Sequence, residues 1–313
     1  MKKFLSTFIL LFLLISNAQA QGEGVYLTFS ESLGMNTFHY KMDNRVTSNS
    51  RPGYSNALGF QYFFSDHWGI GSGLGITYYS TIANYENSYL NDPTHYQFND
   101  RIDDDWIPAP IKYDLQLRLS NWQEKQTAYF LEVPFMTCFQ TKWGKKQRLG
   151  VYGGVGIKMQ VPIFGNKFEV TNGSELLIQG YYHDGDGITI DGAPNGSPTH
   201  GFGKYNNTGF NSDLDIKMSF AGIFETGLLI SLNRWIDLAV GGYFDFGLNN
   251  IKNGNKSDYD NAYLITPGNG NIHDESVIIK DRYIYNGIIN SYVTEDVKLR
   301  GVGGKISLRM KVM

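Results

Sequence analysis

Glu132, Glu225, Asp237 and Asp245, with Lys158, Lys305 and Arg309, are the residues whose types and spacing could do chemistry together. Each stands at a non-apolar position in a segment where apolar residues alternate with polar or small ones. Residues two apart in an extended chain share a face, so these side chains belong to one side of their segments. Acids and bases drawn into one narrow interior must pair or hold water between them, because a buried charge without a partner costs several kcal/mol. The expectation is an internal charge network. It would serve either as a set of ties closing the interior or as an ion or proton path.

Catalysis needs a different arrangement, in which a nucleophile or metal-bound water meets a base held by a third group. The six histidines do not supply one. His95, His183, His200 and His273 fall in long polar stretches, His67 in a short turn and His39 near the end of an alternating segment. Asp184-Gly185-Asp186-Gly187, followed by Asp191, resembles part of a calcium loop but lacks its third carboxylate position and closing glutamate. Asp103-Asp104-Asp105, ahead of Trp106-Ile107-Pro108-Ala109-Pro110, reads as a solvated loop. No enzymatic activity, cofactor or metal is expected. A net charge of −3 offers no attraction to nucleic acid.

The elements that must position the charges are strands. Alternation runs for at least the roughly 9 to 11 residues that a tilted strand needs to cross a bilayer. It occurs at 24 to 40, 54 to 64, 68 to 80, 128 to 141, 148 to 163, 216 to 232, 235 to 249 and 298 to 312. The connections 65 to 67, 142 to 147 and 233 to 234 are short, whereas 41 to 53, 81 to 127, 164 to 215 and 250 to 297 are long and polar. Strict alternation of tight turns and long loops belongs to outer-membrane barrels, with the turns periplasmic and the loops extracellular.

Parity assigns the faces. Trp68, Ile70, Leu74 and Ile76 oppose Gly69, Gly71, Gly73 and Gly75, and Val155, Ile157 and Met159 oppose Gly154, Gly156 and Lys158. The apolar faces should meet lipid and the charged ones a lumen. The 36 glycines are well above the usual ~7% and suit tightly curved sheet. The predicted fold is all-β, an antiparallel up-and-down transmembrane β-barrel of eight strands with long extracellular loops. Two further alternating patches, 113 to 119 and 276 to 285, would make ten strands if they also span. Pro134 interrupts a paired strand, so a bulge or kink is expected there.

The beginning of the chain carries Lys2 and Lys3, an apolar run from Phe4 to Ile15, and Ser16-Asn17-Ala18-Gln19-Ala20. This is the pattern of a secretory signal peptide with an A-x-A site formed by Ala18 and Ala20, cleaved after Ala20. Residues 1 to 20 are thus expected to direct export and 21 to 313 to form the barrel domain. The single cysteine, Cys138, excludes an internal disulfide, leaving packing and hydrogen bonds to hold the fold.

Tyr129-Phe130-Leu131-Glu132-Val133-Pro134-Phe135, a basic turn, and Val151-Tyr152-Gly153-Gly154-Val155-Gly156 together resemble the PorT-like outer-membrane β-barrel domain family, in which a Leu-Glu-x-Pro strand precedes a Tyr-x-Gly-x-Gly strand. The resemblance is specific over 128 to 163. It implies an outer-membrane barrel and no shared catalytic residues. Two functional classes follow: a structural or interaction barrel, such as a subunit of a secretion or surface complex that binds a protein partner through its loops, or a barrel that transports or modifies a small molecule or lipid. A soluble, lipocalin-type ligand barrel is the third reading. The outer-membrane lipid is the remaining expected partner.

Overall fold

The computed structural model describes residues 24–42, 46–85, 88–89, 97–100, 111–143, 148–171, 173–182, 188–190, 203–207, 211–253, 287–290 and 294–312. Eight long strands dominate it: β1 (Gly24–Met42), β2 (Pro52–Phe63), β3 (Trp68–Tyr85), β4 (Trp122–Trp143), β5 (Leu149–Pro162), β6 (Ser219–Ser231), β7 (Ile236–Gly247) and β8 (Thr294–Val312). Each is antiparallel to the next, and β8 pairs with β1 from Val25↔Val312 onward. The ladder therefore closes into a ring of eight, leaving no free edge within it.

The strand faces divide as alternation requires. Leu33, Leu58, Leu74, Val155, Leu228 and Ile306 point outward and are each more than half exposed. Thr77, Lys158, Gln160, Asp237, Ser307 and Arg309 point inward and are buried. Apolar residues outside and charges inside reverse the pattern of a soluble ligand-binding barrel and suit a barrel whose solvent is lipid. Trp68 packs edge-on against Phe139 near the tight turns, where Trp143 and Trp235 are also exposed. At the other rim Tyr54, Tyr78, Tyr129 and Phe164 form a row of neighbouring rings.

Local chemistry fixes the tight turns. The Trp68 amide donates to Ser65 Oγ at 2.9 Å, and Asn233 Oδ1 accepts from the amides of Trp235 and Ile236 at 2.7 and 2.9 Å. Side-chain oxygens of this kind satisfy turn amides that have no ladder partner.

Three expectations change. The eight spanning strands are as expected; the first change concerns only the ten-strand alternative, because Ile111–Ser120, which contains the patch 113 to 119, does not span. It pairs with Ser174–Tyr182 in a separate six-stranded sheet of short loop strands. The patch 276 to 285 lies outside the described residues, as do Asp103 to Pro110, Asp184 to Asp186, Asp191, His95, His183, His200, His273, Ala18 and Ala20.

The second concerns strand length. β3 runs on to Tyr85 and β4 begins at Trp122, where Val46–Ser50 and Lys167–Val170 add to their outer ends. Neighbouring residues such as Tyr79, Ser80 and Thr81 are all buried there, so the apolar–polar alternation that marks a lipid-facing strand is lost.

The third concerns Pro134. Ser72 faces Phe135 and Gly75 faces Glu132, with two residues between on each strand, so no residue is inserted and no bulge forms. Instead the pairings of Gly73 and Leu74 are missing. The Pro134 carbonyl accepts from Ser72 Oγ of β3 at 2.8 Å. A residue's N–H and C=O leave a strand on the same side, so the bond proline cannot make is one to β3. The pairing with β5 continues through Pro134↔Lys158.

Candidate functional site

The lumen is where the charged residues converge, and they sort into three groups. Towards the loop end, Lys158 of β5 lies between two carboxylates. Its Nζ is 2.9 Å from Glu132 Oε2 on β4 and 2.6 Å from Asp245 Oδ2 on β7. Thr77 Oγ1 donates to Glu132 Oε2 at 2.7 Å and Ser55 Oγ to Oε1 at 3.2 Å. The ammonium reaches across the lumen, since β6 separates β5 from β7 around the ring.

In the middle, Lys305 of β8 pairs with Glu225 of β6. Nearer the tight turns, Asp237 of β7 accepts from Lys142 of β4 at 3.0 and 2.9 Å through its two oxygens, and from Ser231 Oγ at 2.6 Å. Among the described residues, Arg309 of β8 meets no carboxylate. Its Nη2 donates to Gln140 Oε1 at 2.8 Å, and its guanidinium lies 4.8 Å from the Tyr26 ring centre and 5.3 Å from that of Phe63.

The seven charged residues read from parity thus face one interior, and six of them lie in direct ion pairs. Lys142 was assigned to a turn, but β4 continues through it. Its even number, in step with Glu132 and Gln140, was the signal that it turns inward. The neutral partners Ser55, Thr77, Gln140 and Ser231 carry no charge pattern and become visible only when strands that are distant in sequence are brought together.

The loop end of the lumen is closed by a second, mostly neutral layer. The Ile288 amide donates to both Glu124 carboxylate oxygens at 3.1 Å, and Gln126 Nε2 donates to Glu124 Oε1 at 2.6 Å. Tyr40 donates its hydroxyl to Gln126, and Gln160 Nε2 donates to Tyr79 at 2.8 Å. Ile288 and Ile289, in a short 3₁₀ turn, are fully buried among these groups. Among the charged groups remain cavities of about 60 and 80 Å³. That space suits a few water molecules, each needing roughly 10 to 15 Å³ on this scale. Among the described residues no group of His, Cys, Asp and Glu is placed to hold a metal ion.

A closed eight-stranded ring with an apolar exterior and an ion-paired interior defines a transmembrane β-barrel protein. The chain belongs to the outer membrane protein beta-barrel domain family, whose model matches residues 17–253. β8 lies beyond that span and closes the ring by its bonds to β7 and β1. Comparison with curated sequences finds no match. Similar solved structures include Neisserial surface protein A, with 9% identity, 94% of this chain and 100% of that chain covered, and a TM-score of 0.32. The outer membrane protein OprG from Pseudomonas aeruginosa is similar with 10% identity, coverage of 93% and 99%, and a TM-score of 0.37.

Proposed function

We propose that this is a closed, non-enzymatic outer-membrane barrel of PorT-like type, whose lumen is a structural plug and whose long loops bind a protein partner at the cell surface. The observation that carries the reading is the lumen: Lys158 tied to Glu132 and Asp245, Lys305 to Glu225 and Lys142 to Asp237 stand across it, with cavities of about 60 and 80 Å³ beside them among the described residues. Such ties fix the barrel's cross-section and favour anchoring over passage. The Leu131-Glu132-Val133-Pro134 strand followed by Tyr152-Gly153-Gly154 supports the PorT-like assignment.

Planar-bilayer recording of the purified protein tests the plug. Conductance should be negligible, and steady large channels would refute it. Photocrosslinking in cells from positions within 81 to 127 and 164 to 215 tests the partner; recovery of lipid alone, without a specific protein, counts against an interaction role. Export is part of the same reading. Intact mass of the membrane-extracted protein should correspond to a chain beginning at Gln21, and retention of residues 1 to 20 would contradict cleavage after Ala20.

A further inference from the structure

The inference concerns Arg309. The four carboxylates of the charged groups each have an ammonium partner: Glu132 and Asp245 share Lys158, Glu225 has Lys305, and Asp237 has Lys142. Arg309 is only 3% exposed, yet its one hydrogen bond goes to the neutral amide of Gln140. Asp237, directly across the ladder, already holds Lys142 and Ser231. The Tyr26 and Phe63 rings meet the guanidinium but provide no countercharge.

Beside it lies the cavity of about 60 Å³, lined by Arg309, Gln61, Tyr152 and Ser307, and by the Lys305–Glu225 pair. Three buried polar atoms of these lining residues have no partner: Arg309 Nε, Tyr152 Oη and Gln61 Oε1. The first is a donor, the hydroxyl can donate, and the Gln61 amide presents a donor when its oxygen and nitrogen are exchanged. Arg309 and Lys305 bring two positive charges to the cavity against the single negative charge of Glu225.

We propose that this cavity is a binding site for a small monovalent anion of chloride size, held by the Arg309 guanidinium with Tyr152 and Gln61. A buried guanidinium in low dielectric favours a compact anion over water, because it then gains a charge-assisted partner. The site lies in the half of the lumen nearer the tight turns, which are periplasmic in this family's orientation. The ion would act as a removable element of the plug.

The test uses the purified, folded barrel. Crystals grown in bromide should show an anomalous peak within contact distance of the Arg309 guanidinium; a fully occupied water without anomalous signal there would overturn the proposal. In solution, the unfolding midpoint should be flat at low chloride and rise with the logarithm of chloride above the dissociation constant, while gluconate at equal ionic strength leaves it unchanged. Equal midpoints in the two salts would also overturn it. Arg309→Gln should abolish the chloride dependence. Since that variant could fail to fold, Tyr152→Phe provides a milder one and should move the onset of the rise to higher chloride. A dependence unaltered in Tyr152→Phe would place the effect elsewhere and refute the site.

Discussion

Lys158 is the residue on which the lumen depends most. One ammonium meets two carboxylates, so removing it strands both charges in a low-dielectric interior. Breaking a buried pair by deleting one partner costs about 3–5 kcal/mol, more than the pair itself contributes. Lys158→Met should therefore lower the unfolding free energy of the barrel in lipid vesicles, read by urea titration, by that order, while outer-membrane fractionation still finds the protein exported. Adding Glu132→Gln and Asp245→Asn to the same variant removes the stranded charges and should restore most of the loss. No recovery in the triple variant would mean that Lys158 acts through packing rather than charge. The alternation about Lys158, Glu132 and Asp245 was enough to read their direction from the sequence. Their grouping was not, because it depends on the ring curving β7 towards β5 and β4 past the intervening β6.

At the scale of strands, the curvature of so small a barrel is carried by inward glycines that face one another across the ladder. Gly227 of β6 faces Gly241 of β7, and Gly34 of β1 faces Gly303 of β8. A Cβ at Gly241 would overlap the Thr226 carbonyl and the Gly227 Cα, both backbone atoms of the next strand. The next residue, Gly242, points outward, and a Cβ there meets nothing nearer than the Gly303 carbonyl at 3.4 Å. Gly241→Ala should therefore destabilise by roughly 1–3 kcal/mol, the usual cost of overpacking, and Gly242→Ala by much less. Urea unfolding of the two variants side by side decides this; equal losses would remove close backbone approach as the reason for glycine. Strand ends were less legible than strand middles. In segments 80 to 85 and 122 to 127 polar residues stand on both faces, Thr81, Glu124 and Gln126 inward and Asn84, Gln123 and Lys125 outward, so no apolar–polar alternation marks them. The loop strand at 111 to 120 alternates in sequence like a spanning one, because period two marks a strand and does not tell lipid from water.

At the scale of the whole molecule, two hydrogen-bonded systems can be separated. Among the described residues, the ring from β1 to β8, with Val46–Ser50 and Lys167–Val170 added at its outer ends, forms one ladder, the six-stranded sheet of loop strands forms another, and Ser174 Oγ links the two by accepting the Gln123 amide. A barrel in lipid must satisfy its backbone internally, and the ring's strand-to-strand bonds do so without strands of the loop sheet. Replacing residues 88–119 and 176–207 with short Gly-Ser segments leaves intact the β3 and β4 ends, the Lys167–Val170 addition and the Ser174 Oγ that accepts the Gln123 amide at 3.1 Å. Loop closure changes slowly with length, so shortening of this kind has little entropic effect on the ring. The shortened protein should still reach the outer membrane and still migrate as a compact band that shifts on boiling. It should also lose the protein crosslinks formed from 81 to 127 and 164 to 215 in the full chain. Failure to form the compact band would make the loop sheet part of the folding unit, and crosslinks that persisted would move the partner's contact to the barrel wall.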